Sequence, residues 1–154
     1  MKRVLRRSQV ALFLAVSMIC AQSVLAQEES GKKECSNGIL WGSFGYTSTG
    51  TLLDSYVPAP YAGPFGEVGR QTFDGKGHTT AAATTSSNGN IQPVTIEGTY
   101  TVKPDCTGSM TLNVSPFDST VHADFVIDDN GAEIRAIGSD SGLVETRVYH
   151  KQCR

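Results

Sequence analysis

From residue 38 onward, apolar and polar positions alternate with a period of two through much of the chain. Val94, Ile96, Gly98, Tyr100 and Val102 share one parity, and Thr95, Glu97, Thr99 and Thr101 the other. Met110, Leu112 and Val114 oppose Thr111 and Asn113, while Val121, Ala123, Phe125 and Ile127 oppose His122 and Asp124. Side chains of an extended strand point alternately to its two faces, so these runs predict half-buried antiparallel strands. Eight extended runs follow one another at roughly 38–48, 65–74, 77–87, 91–103, 107–115, 119–127, 131–138 and 143–151. The run Thr79–Thr85 contains three alanines, but its threonines and the flanking glycines favour strand over helix. Asp74-Gly75-Lys76-Gly77, Asn88-Gly89-Asn90, Asn130-Gly131 and Ser141-Gly142 supply the residues that tight hairpin turns require. Eight hairpin-linked strands predict an all-β fold, a single eight-stranded antiparallel up-and-down barrel whose closure removes unpaired edges. Two packed sheets are the rival. One long connection, Thr49 to Pro64, carries Leu52, Leu53, Tyr56, Val57 and Tyr61, and is expected to cover the barrel mouth.

The segment before the strands has another character. Met1–Ala26 begins with Lys2, Arg3, Arg6 and Arg7, continues through an apolar run from Val10 to Ile19, and ends on Val24-Leu25-Ala26. This order is that of a signal peptide, and the apolar run is shorter than the ~20 residues that span a bilayer. Ile19 before Cys20 argues against lipidation, which wants a small residue there. The expected organisation is a signal peptide over 1–26, a flexible lead-in over 27–36 and a β-barrel domain over 37–154, secreted or periplasmic. Loss of the first 26 residues would leave nine basic against 15 acidic residues, a net charge of −6. An acidic domain is a poor partner for nucleic acid or an anionic membrane, and neither is expected.

Candidate chemistry is sparse. There is no Gly-x-Ser-x-Gly elbow, phosphate loop or dinucleotide fingerprint. No C-x-x-C occurs and the three histidines lack metal-ligand spacing, so no metal or other cofactor is expected. Asp128-Asp129-Asn130-Gly131 reads as a hairpin turn rather than a calcium loop. Glu133, Arg135, Glu145 and Arg147 alternate with Ile134, Val144 and Val148 and are expected on a solvated face with cross-strand ion pairs. Glu67 and Arg70, three apart in one strand, must point to opposite faces unless a bulge at Gly69 resets the phase. One charge therefore points inward. Arg70 is the expected inward member, since its guanidinium can satisfy several acceptors, with Glu67 near the mouth and water.

Several of these residues carry a resemblance. The eight short strands and the aromatic in the first strand resemble the calycins, the lipocalin and avidin group. More closely, Cys35-Ser36-Asn37, Gly42-Ser43-Phe44-Gly45-Tyr46, Phe73-Asp74-Gly75-Lys76-Gly77, Gly98-Thr99-Tyr100-Thr101-Val102 and Pro104-Asp105-Cys106-Thr107-Gly108 resemble small secreted bacterial barrels of uncharacterised function. The counterpart of the lipocalin Gly-x-Trp is Gly38-Ile39-Leu40-Trp41, one residue longer, and Arg147 or Lys151 could supply the basic residue that packs on that tryptophan. Strand topology brings Cys35, Cys106 and Cys153 to one rim and leaves the pairing open. The resemblance implies Cys35–Cys106, with Cys35–Cys153 as the alternative.

The leading functional expectation is a barrel that holds a small, mostly apolar molecule in its interior, without enzymatic activity. Arg70, Glu67, Tyr46, Tyr100, Phe125, Tyr56 and Tyr61 are its candidate ligand-binding residues. A second reading is a cyclase or isomerase, as the weaker resemblance to allene-oxide-cyclase-like barrels implies, with Glu67, Tyr100 or Tyr46 as acid or base. A third is a filled barrel acting as a structural or protein-interaction module, its core packed solid by Phe44, Phe73, Phe125 and Tyr100. The oligomeric state stays open.

Overall fold

The computed structural model describes residues 34–153, so the expected signal peptide and most of the lead-in lie outside the described residues. Eight strands form one closed barrel in sequence order, each antiparallel to its neighbours. They are β1 (Trp41–Leu52), β2 (Gly63–Asp74), β3 (His78–Ser87), β4 (Asn90–Val102), β5 (Thr107–Ser115), β6 (Ser119–Asp128), β7 (Glu133–Gly138) and β8 (Leu143–Lys151). β1 pairs with β2 on one side and with β8 on the other, which closes the ring. Every run of alternation became a strand, and the two-sheet rival is excluded.

The turns follow their chemistry. Ser87 pairs with Asn90, so Asn88 and Gly89 alone make the β3–β4 turn, and both have positive φ. At the β6–β7 connection Asp129, Asn130 and Gly131 all have positive φ and form a short left-handed turn, which delays β7 to Glu133. The Ala81–Ala83 stretch is strand, paired on both sides.

Two boundaries differ from the sequence expectation. β1 begins only at Trp41, because Asn37–Ile39 forms a 3₁₀ turn that carries the chain across the lower end. It also continues to Leu52, so the first loop spans 53–62 rather than Thr49 to Pro64. Thr49 and Thr51 face Gly66 and Pro64 on β2, and Thr146 and Val144 on β8. A strand with partners on both edges gains hydrogen bonds by continuing, whatever its local turn propensity.

The lower half of the barrel is filled. Phe73 makes edge-to-face contacts with Phe44, Tyr100 and Tyr149 at centroid distances of 5.4, 5.1 and 6.2 Å. Leu40, Phe125 and Met110 belong to the same buried cluster. The Tyr100 hydroxyl donates to the carbonyls of Asn37 and Leu40, and Asn37 Oδ1 accepts from the Val102 amide at 2.7 Å. Cys35 is bonded to Cys106, which fastens the incoming chain beneath the barrel, and Cys153 is an exposed free thiol. Trp41 is 55% exposed, while Lys151 lies over the Phe44 ring and Arg147 over that of Tyr46.

Candidate functional site

Above the aromatic base the interior opens into a cavity of about 500 Å³. Its walls are of two kinds. Val94, Val114 and Val121, from β4, β5 and β6, make an apolar side; Glu67, Glu145 and Arg147, from β2 and β8, make a polar side. Leu52, Phe65 and Leu143 line it near the mouth, together with Tyr56, Val57, Pro58 and Tyr61 of the first loop. That loop is tied to neighbouring turns at the same end: the Leu53 amide donates to the Gly142 carbonyl, and Asn88 Nδ2 donates to that of Pro60.

The polar wall corrects the expected phase of two strands. On β2 it is Glu67 that points inward, 8% exposed, with Gln71 and Phe73 on the same face; Arg70 is exposed. The register through Gly69 is continuous, without a bulge. The reason lies in Gly69, which faces inward beside Glu67. A Cβ there would stand 2.9 Å from Tyr46 Cε1, so its absence leaves room for the Tyr46 ring. Phe65 and Phe73 then keep their apolar surface inside, which outweighs the preference for guanidinium over carboxylate. On β8, Glu145 and Arg147 are not on a solvated face but are 2% and 4% exposed. Leu143 and Tyr149 share their parity and carry them inward, while Val144 and Val148 lie outside. Both faces of β8 alternate apolar with polar residues, so period two could not choose between them. Tyr149, the largest residue of the strand, was the available signal. Glu133 and Arg135 do lie on the outer face, where Arg135 pairs with Asp128 at 2.6 Å.

These side chains form one network across three adjacent strands. The Tyr46 hydroxyl donates to Glu67 Oε1 at 2.6 Å, the Ser48 hydroxyl donates to Glu145 Oε1, and Arg147 Nε donates to the same Glu145 oxygen at 2.5 Å. Arg147 Nη1 stands 3.8 Å from Glu67 Oε1, near enough for attraction but too far for a hydrogen bond. The Arg147 guanidinium lies 5.6 Å from the centroid of the Tyr46 ring. Burial opposes its charge, but Tyr149, Glu145 and Glu67 outweigh burial and hold its pKa well above the ordinary value. Burial raises the Glu67 pKa despite Arg147 and the Tyr46 hydrogen bond. Tyr46 is raised strongly, by burial first and then by the neighbouring Glu67.

Three of the residues that line this cavity each carry a buried polar atom that makes no hydrogen bond among the described residues: Arg147 Nη1, Thr85 Oγ1 and the Tyr56 hydroxyl. Of the other expected site residues, Tyr61 lines the mouth, Tyr46 supports Glu67, and Tyr100 and Phe125 belong to the filled base rather than the cavity. No group of three potential metal ligands occurs among the described residues.

No family model matches this sequence, and no curated protein does. Two solved structures share the fold. The redesigned β-barrel b11L5F_LGL aligns with a TM-score of 0.55 and 18% identity, over 76% of this chain and 95% of that one. The redesigned β-barrel mFAP1, solved bound to DFHBI, aligns with a TM-score of 0.50 and 18% identity, over 75% of this chain and 97% of its own.

Proposed function

We propose that this barrel binds a small, mostly apolar molecule in its upper half, with the first loop as the lid. The observation that carries this reading is the two-sided cavity of about 500 Å³, apolar on one wall and bearing buried charged groups on the other. Pockets of this size, largely apolar with a few converging polar groups, are where small ligands bind. The open upper half counts against an interior plugged throughout, although the aromatic base is filled. The redesigned barrel mFAP1, of the same fold, was solved bound to DFHBI, which agrees with this use of an eight-stranded barrel. Kinship with calycin-like secreted barrels is part of the proposal, and so is export. The Cys35–Cys106 disulfide suits an oxidising compartment, and Met1–Ala26 has the pattern of an export signal.

Native mass spectrometry of protein purified from its own source tests the reading, with a co-purifying small mass as the expected result. Binding of the neutral dye Nile red provides a second measurement. Val121→Phe, which fills the cavity, should abolish binding, and Tyr56→Ser with Tyr61→Ser should change it by opening the lid. Undiminished dye binding in the filled variant would place the site elsewhere.

A second reading, a cyclase or isomerase, draws on one observation: Glu67, a carboxyl whose pKa burial has raised, lines the cavity and is hydrogen-bonded to Tyr46. A carboxyl raised in this way is better able to take a proton from a bound substrate than an ordinary carboxylate. Deuterium incorporation from D2O into a bound ketone, lost in Glu67→Gln, would support turnover.

A further inference from the structure

The charge of the ligand can be specified, on the basis of the proposed cavity. We infer that the barrel selects an apolar amine, whose ammonium group pairs with Glu67. The polar wall carries more acid than base, with Glu67 and Glu145 against Arg147 alone. Arg147 is committed to Glu145 through Nε at 2.5 Å, and the Ser48 hydroxyl donates to the same carboxyl group. Glu67 is the acid left over. Arg147 Nη1 stands 3.8 Å from it, beyond hydrogen-bond length, and the Tyr46 hydroxyl donates to Oε1. The other oxygen, Oε2, accepts no hydrogen bond among the described residues. Unlike Arg147 Nη1, Thr85 Oγ1 and the Tyr56 hydroxyl, it is not closed off from the cavity that Glu67 lines. Such an oxygen accepts most strongly from a donor that carries positive charge.

The mouth provides a second, independent observation. Every charged residue in the four connections at this end is acidic: Asp54 in the first loop, Asp118 between β5 and β6, and Asp140 between β7 and β8. Asp140 is engaged by His122, while Asp54 and Asp118 are exposed on the rim. An acidic mouth draws cations and repels anions. Inside, a carboxylate ligand would bring a third acid into a desolvated space. A hydrocarbon would leave Glu67 Oε2 without a donor, and an alcohol would supply the donor but not the missing positive charge. An ammonium group supplies both, and its apolar body fits the wall made by Val94, Val114 and Val121. The groups facing Glu67 are Tyr46 from β1 and Glu145 and Arg147 from β8, while β3 sets Thr85, which does not titrate, opposite it. Burial opposes the ionised form of Glu67, and a cation beside it favours that form, so each charge stabilises the other.

The test uses four probes with one aromatic body: 2-naphthylmethylamine, 2-naphthylmethanol, 2-ethylnaphthalene and 2-naphthoate, titrated by their own fluorescence against the native protein at neutral pH. The amine is expected to bind at least about tenfold more tightly than each of the others, tenfold being about 1.4 kcal/mol. This comparison needs no variant, so it stands whether or not a substituted chain folds. Glu67→Gln keeps the shape of the side chain and an acceptor for Tyr46, and should remove most of the amine's advantage over the hydrocarbon. Val121→Phe, which fills the cavity, should abolish binding of the amine. An advantage retained in folded Glu67→Gln, or tightest binding of the alcohol, the hydrocarbon or the carboxylate, would overturn the assignment while leaving the cavity as a binding site. Amine binding that survives Val121→Phe would place the cation on the acidic rim and overturn it as well. Binding of none of the four would overturn the cavity reading itself, and this inference with it.

Discussion

At the scale of single residues, the consequential feature is a buried cation held between two acids. Arg147 is tied to Glu145 and attracted to Glu67, so its removal leaves two buried carboxyls without their counter-charge. Breaking a buried pair by deleting one partner costs about 3–5 kcal/mol. Arg147→Met should therefore lower the free energy of unfolding in urea by about that amount, and adding Glu145→Leu to it should recover a part. Arg70→Met, on the exposed face of β2, should change stability by no more than about 0.5 kcal/mol. Glu67 makes its own prediction, about pH. Its native pKa lies above its ordinary value of 4.5, chiefly because of burial. Between those two values the folded chain holds a proton that the unfolded chain has released, so stability falls as pH rises through that window. The groups facing Glu67 are Tyr46 from β1 and Glu145 and Arg147 from β8. Glu67→Gln keeps an acceptor for Tyr46 and has no proton to lose. Urea unfolding of this variant from pH 5 upward should lack the decline that the parent shows there, whereas an identical profile would mean that Glu67 titrates normally.

At the scale of elements, β2 shows how a small residue places the network. Gly69 lies between Glu67 and Gln71 on the inner face, and a Cβ there would meet Ala83 Cβ at 2.5 Å and the Ala82 carbonyl at 2.7 Å, besides the Tyr46 ring. Two of those neighbours are part of β3, which cannot withdraw without breaking its pairing with β2. Gly69→Ala should cost about 1–3 kcal/mol through overpacking and should disturb the hydrogen bond between Tyr46 and Glu67. Gly66→Ala is the control, since its Cβ would find nothing nearer than the Ser48 carbonyl at 4.0 Å. Equal thermal shifts for the two variants would contradict this account. β8 carries the opposite lesson, because it seats two charged residues inside by keeping Leu143 and Tyr149 on their face.

At the scale of the whole molecule, the disulfide and the filled base form one structure. Cys35 and Cys106 are 71 residues apart in sequence, and their bond holds the incoming chain below the ring while Asn37 and Leu40 receive the Tyr100 hydroxyl. A cross-link over a loop of that length contributes about 2–4 kcal/mol, chiefly by restricting the unfolded chain. Cys35→Ser with Cys106→Ser should lower the unfolding midpoint accordingly, and reduction of the parent protein should reproduce the loss. Cys153→Ser should leave it unchanged, because that thiol is free and exposed.

Eight strands, their order, most of their turns and the apolar faces of β4, β5 and β6 were legible in the sequence. Alternation and positive-φ turn residues are local properties, and local properties survive without tertiary context. The candidate site was legible only in part: Glu67, Tyr46, Tyr56 and Tyr61 were among the expected residues, whereas Thr85, Glu145 and Arg147 were not. Parity tells which residues share a face but not which face is inside. That choice is made where a strand meets its neighbours, as when the absent side chain of Gly69 admits Tyr46 and brings Glu67 inward. On β8 it is made by the burial of Tyr149 in the aromatic base, which seats Arg147 two residues away in the wall of the cavity. The sequence alone determined the ring, and packing against the ring's other strands decided which charges it encloses.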